Sequence, residues 1–150
     1  MAVAAAIAPL TNAEIKKLAT EWYRKLDVHA PVAEVTPLLA AKGLEMKFPE
    51  ATLRTYAEFE GWYDRVTRLF FDEVHIVEEV TSKTNGDSAD VKVVVHWEAS
   101  IWNPPAAKSQ RIKLDAFQTW RVARSPETDQ PVITSYAVDK FEYAPDSARL

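Results

Sequence analysis

The chain contains no cysteine, three histidines and only three glycines in 150 residues. The missing cysteine excludes disulfides, thiolate nucleophiles and cysteine-ligated zinc or iron–sulfur centres, and it suits a reducing, cytoplasmic setting. With Gly43, Gly61 and Gly86 as the whole glycine complement, no glycine-rich loop can cradle a phosphate, so P-loop and dinucleotide sites are excluded. There is no nucleophile elbow either. No apolar run approaches the roughly 20 residues that span a bilayer. The opening MAVAAAIAPL lacks the basic segment of a secretory signal, and residues 1–11 read as a loose arm. Basic side chains are few and scattered, 18 against 22 acidic for a net charge of -4. A nucleic-acid footprint needs a basic patch or stripe, so no nucleic-acid partner is expected.

What is present is the composition of a globular chain, 47% hydrophobic and 27% charged. It is enough for one domain, placed at residues 12–144, with 145–150 as a loose tail. Thr11 or Asn12 caps a first helix, and Ile15, Leu18, Trp22 and Leu26 recur at helical spacing. Asp27-Val28-His29-Ala30-Pro31 breaks it, and a short second helix runs from Pro31 to a stop at Gly43. Leu44–Phe48 alternates as a short strand ended by Pro49. Leu53, Tyr56, Phe59, Tyr63, Val66 and Phe70 then mark a third, aromatic-rich helix.

After Phe71 the period changes to two. The segments 72–82, 89–103, 109–124 and 131–143 read as an antiparallel meander. Helices followed by such strands give an α+β fold, with helices on one face of a curved antiparallel sheet. Taking Asn85-Gly86 as a tight turn sets Val74 opposite Trp97, Ile76 opposite Val95, Val80 opposite Val91 and His75 opposite His96. For the next hairpin, pairing Glu98 with Lys113 sets Trp97 opposite Leu114, Val95 opposite Ala116 and His96 opposite Asp115. One face is then strongly apolar, from Val91, Val93, Val95, Trp97, Ile112, Leu114, Ala116 and Trp120. The other, mixed face carries His75, Val77, Val94, His96, Asp115 and Phe117, and is expected to join two copies into a homodimer.

The order of elements resembles the nuclear transport factor 2-like superfamily, in its SnoaL-like and steroid-isomerase-like branches. The resemblance lies in WYRKLDVHAPVAEVTPLLAAKGLEMKFP, in the aromatic helix YAEFEGWYDRV and in the meander, from about Thr11 to Tyr143. It implies a cone-shaped, cystatin-like fold enclosing a pocket. It also implies functions that range from isomerases, cyclases and dehydratases to non-catalytic binding or assembly subunits. Steroid-isomerase-like members place a proton-handling tyrosine on the first helix and an aspartate at the short strand. Trp22 and Phe48 occupy those positions here, so that proton shuttle does not carry over.

His75, His96 and Asp115 form the sharpest polar group. They read either as a histidine dyad with an orienting carboxylate, or part of a metal site, or as a polar row at a subunit contact. No metal and no cofactor is expected. His96-Trp97-Glu98 has the HxE pattern of zinc deaminases but lacks their cysteine pair. Asp27 and His29 could do acid–base work near a pocket mouth, or form a local cap and turn. Asp139 falls one residue off the inward alternation of Tyr136 and Val138, which argues for the outer face; on the inner face it would be a general-base candidate. Trp22, Tyr23, Tyr56, Phe59, Tyr63, Trp97, Trp120 and Tyr136 either fill a core or line a pocket for a small hydrophobic or aromatic molecule. The leading expectation is a small-molecule-binding protein. The alternatives are a cofactor-independent isomerase, cyclase or dehydratase and a non-catalytic dimeric subunit.

Overall fold

A computed structural model describes residues 8–150. Helix α1 (Asn12–Asp27) starts at a capping box, in which the Thr11 hydroxyl accepts from the Glu14 backbone N–H and the Glu14 carboxylate accepts from the Thr11 N–H. Its buried stripe is Ile15, Leu18, Ala19, Trp22 and Tyr23. The helix stops at Val28, after which His29 turns into the left-handed region at φ 50°. A short helix α2 (Val32–Val35) runs into a 3-10 turn at Thr36–Leu38. Strands β1 (Glu45–Lys47) and β2 (Thr52–Leu53) precede α3 (Tyr56–Leu69), whose Thr55 hydroxyl caps the Glu58 N–H. Four long strands complete the chain: β3 (Phe70–Asn85), β4 (Ser88–Ile101), β5 (Gln110–Arg124) and β6 (Pro131–Tyr143).

The sheet order is β2-β1-β6-β5-β4-β3. The fold class is the α+β arrangement expected, with one difference: β1 pairs parallel to β6, so the sheet is mixed. The short β2 went unread because two residues carry no period. The β4–β5 register is as expected, with Glu98 opposite Lys113, His96 opposite Asp115 and Trp97 opposite Leu114.

The β3–β4 register is not. The two turn residues are Gly86 and Asp87, closed by Asn85 opposite Ser88, with Gly86 at φ 65° as a two-residue turn with glycine first requires. That moves every partner by two and keeps the faces. Glu78 then bulges between Val77 and Glu79, and this single extra residue exchanges the faces for the rest of the strand. Consequently His75 pairs with Trp97 rather than His96, and Val77 with Val95, both on the inner face. Val74 and Ile76 point outward. A second irregularity sets Asp72 and Glu73 against the single residue Ala99, with Asp72 at φ 52°.

The helices cover the inner face, where Val91, Val93, Val95, Ile112, Leu114 and Trp120 are buried. Trp22, Phe59 and Trp120 are fully enclosed; at roughly 150–250 Å² each, burying the two tryptophans is worth at most about 4–6 kcal/mol apiece.

Contacts tie down the described residues on either side of the domain, Ala8–Leu10 and Asp146–Ala148. Residues 1–7 of the expected arm lie outside the described residues. Leu10 is buried and its N–H donates to the Gly86 carbonyl, while Arg124 donates to the Ala8 and Pro9 carbonyls and grips Glu14 with both terminal nitrogens. At the other end the Ala148 N–H donates to the Arg111 carbonyl, and Asp146 pairs with Lys113 at 2.7 Å. No described helix is long and apolar enough to cross a membrane.

Candidate functional site

Between α1, α3 and the inner sheet face lies a cavity of about 320 Å³, near the lower end of the roughly 300–1,000 Å³ usual for small-molecule sites. Its walls are mostly apolar. Phe48 and Trp62 stack with ring centroids 4.1 Å apart, and Phe70 meets Trp97 edge-on at 5.0 Å. Four of the eight aromatic residues expected at a pocket line it: Tyr23, Tyr63, Trp97 and Tyr136. Trp22, Phe59 and Trp120 stand behind that wall as core. Tyr56 spends its hydroxyl on the Leu39 carbonyl at 2.7 Å, outside the lining. Helical spacing reveals which face turns inward but not whether it meets a void or another ring.

The polar groups sit at two ends. At one, the last residue of α1 reaches β3: the Asp27 carboxylate bonds His75 Nδ1 at 2.5 Å and accepts from the His75 backbone N–H at 3.2 Å. The His75 ring stacks on Tyr23 at 4.9 Å and lies nearly parallel to Trp97 at 6.1 Å. Among the described residues Nε2 of His75 has no hydrogen-bond partner, so the cavity-lining imidazole keeps one free nitrogen. Beside it, Glu73 accepts from the Trp97 indole N–H at 3.1 Å and bonds Nε2 of His29. Asp27 and His29 thus act on separate partners rather than as a pair, because one ends the helix while the other turns away in the left-handed conformation.

At the other end Gln118 is buried, and its side-chain oxygen receives the Tyr23 hydroxyl and the Trp120 indole N–H, each at 2.8 Å. An indole only donates, so the orientation of this amide is fixed and its NH₂ is left as the donor. The Tyr23 and Tyr136 hydroxyls lie 3.4 Å apart. Burial pushes Tyr136 up to about 12 and Tyr23 well above the usual phenol value, so both stay protonated near neutrality. Tyr63, whose hydroxyl donates to the Ala30 carbonyl at 2.5 Å, is raised to about 12 by burial and then by the negative charges of Glu73 and Glu34.

The remaining candidates face outward. His96 lies between Asp115 (2.8 Å from Nδ1) and Glu98 (2.9 Å from Nε2), with Glu78 close by, away from the cavity. The expected group of His75, His96 and Asp115 is therefore split by the sheet. Asp139 is exposed and takes the Thr119 hydroxyl at 2.7 Å, as its alternation indicated. Glu73 and Gln118 were missed in the sequence. Gln118 carried a readable signal, since it has the inward parity of Ala116 and Trp120. Glu73 carried none, because the irregularity at Asp72 sets its direction.

No known family profile and no curated protein matches the sequence. Solved structures match the fold. A proposed aromatic ring hydroxylase from Novosphingobium aromaticivorans superposes with a TM-score of 0.75 at 12% identity, over 92% of this chain and 96% of that one. A nuclear transport factor 2-like superfamily protein from Salmonella enterica serovar Typhimurium gives 0.70 at 14% identity over 92% of both chains. The chain has the nuclear transport factor 2-like fold. A type 2 hexachlorocyclohexane dehydrochlorinase is also similar, with a TM-score of 0.72 at 12% identity over 92% of each chain. At these identities the likeness concerns this cystatin-like fold and not the reaction.

Proposed function

We propose that the cavity is the active site of a cofactor-independent lyase or isomerase acting on a small, flat, hydrophobic molecule, with His75 as general base and Asp27 as its orienting partner. One observation carries this: the imidazole lining the cavity is held through Nδ1 and presents a free Nε2. A carboxylate on Nδ1 selects the tautomer with its proton on that nitrogen and stabilises the imidazolium formed when Nε2 takes a proton. In the reaction Nε2 removes a proton from a carbon next to a carbonyl. The electron pair moves to the carbonyl oxygen, where the Gln118 NH₂ and the Tyr136 hydroxyl are the available donors. The enolate then either expels a β-substituent, which leaves with the proton returned by His75, or takes that proton back at another carbon. The dehydrochlorinase, a similar fold, is named for an elimination, which agrees with this reading.

The test is exchange of α-protons for deuterium in 2-tetralone dissolved in D₂O, followed by proton NMR. The protein should accelerate exchange, and His75→Gln should return it to the buffer rate. Exchange at the buffer rate with the intact protein would overturn the assignment to ketone α-protons. Saturable binding of 2-tetralone without exchange would favour a purely ligand-binding protein.

The outer sheet face supports a second proposal, association of two copies. Val74 and Ile76 are 42% and 55% exposed there, beside the half-buried Val94 and Phe117. Of the six residues expected on that face, His75 and Val77 lie on the other side of the sheet, while Val94, His96, Asp115 and Phe117 remain.

A further inference from the structure

The reaction proposed above leaves one charged group of the cavity unused. Glu73 lines it beside His75, its side chain 10% exposed, and its two oxygens are occupied by the donor-only indole of Trp97 and by His29. Its negative charge is felt across the cavity, where it helps to hold the Tyr63 hydroxyl protonated. Asp27 contributes a second carboxylate at the same end through His75. Against these the lining offers a single lysine or arginine, Arg65, which is exposed, and the acidic Glu50 at the same rim bonds the Trp62 indole. The charge balance at the His75 end is therefore negative whenever the two imidazoles are neutral. Charges within a mostly apolar, half-enclosed space interact more strongly than in water and are less screened by salt.

Resting on the reading of the cavity as a site for flat hydrophobic molecules, we infer that Glu73 sets the charge class of the ligand: uncharged or cationic molecules enter, and carboxylate-bearing ones of the same shape are rejected. The role is one of selection, distinct from proton transfer. Glu73 repels an anion at the very end where the substrate must meet Nε2, and rejection of the wrong charge is as effective a source of specificity as attraction of the right one.

Three probes of one shape test this by calorimetry at pH 7.5: 2-naphthamide, 2-naphthylmethylammonium and 2-naphthoate. Entry strips water from both ions, so desolvation weakens both relative to the amide. The inference expects the cation to bind at least tenfold tighter than the anion, and the change of that ratio in Glu73→Gln isolates the carboxylate's part. Glu73→Gln keeps the shape and should cut that ratio at least tenfold while leaving the amide within about threefold. Equal affinity for cation and anion in the intact protein overturns the inference without any variant, and so does an unchanged ratio in a folded Glu73→Gln protein. If none of the three binds, the reading of the cavity as an aromatic site falls, and the inference falls with it. Binding of all three with equal strength removes the inference alone.

Discussion

The carboxylate of Asp27, the last residue of the first helix, holds both the ring and the backbone of His75 on the third strand, at 2.5 Å from Nδ1 and 3.2 Å from the amide nitrogen. Forty-eight residues of chain separate the two, and the contact fixes the imidazole plane between Tyr23 and Trp97. Asp27→Asn keeps an acceptor for the backbone N–H. Its amide can also donate to Nδ1, favouring the tautomer whose proton blocks Nε2. The expected outcome is a loss of about 100-fold or more in proton exchange, with a melting temperature close to that of the intact protein. Parallel exchange and thermal-melt measurements on the two proteins check it.

Gln118 serves the fold as well as the cavity, since its oxygen satisfies two donors, Tyr23 and Trp120. Gln118→Leu leaves the buried Trp120 indole without an acceptor and should lower stability by about 1–3 kcal/mol in urea unfolding. A change below about 0.5 kcal/mol would mean that those donors find other partners.

His96 gives the outer face a pH dependence. Hydrogen bonds to Glu98, and then to Asp115, raise its pKa above the ordinary 6.5. A group whose folded pKa is raised stabilises the fold fully below its unfolded value and loses that contribution as pH rises through the folded value. Melting temperatures should therefore fall from pH 6 towards pH 8, and His96→Gln should flatten that slope. An unaltered slope in the variant would assign the dependence elsewhere.

Ile76→Glu places a charge in the exposed apolar strip of the outer face, opposite His96. If that face joins two copies, light scattering should show the intact protein at twice the chain mass and the variant as a monomer. A monomeric intact protein would remove the proposal directly.

The fold was legible because its signals are periodic. Helical spacing from Ile15 to Leu26 and from Leu53 to Phe70, then alternation from strand to strand, place the long elements within a few residues. The helix expected from Pro31 to Gly43 instead gives way after Val35 to a 3-10 turn at Thr36–Leu38. The β4–β5 register followed from one favourable pair, Glu98 with Lys113. The site was less legible, and the reason is local. One bulged residue, Glu78, carries His75 from the expected outer row into the cavity, and a bulge has no compositional signature. The same shift dissolves the apparent His75–His96 dyad and gives Asp27 a partner that no sequence spacing suggests. Parity gave the right side for Tyr136 and Asp139, inside and outside, although β6 carries an extra residue at Thr134 and Asp139 is itself the extra residue of a second bulge.

The protonation pattern of the His75 ring tests the central claim most directly. Long-range proton–nitrogen NMR correlations at pH 7.5 should show Nδ1 carrying the proton and Nε2 bearing a lone pair, and added 2-tetralone should shift the Nε2 resonance. A proton resident on Nε2, or an Nε2 resonance indifferent to the ketone, would contradict the account.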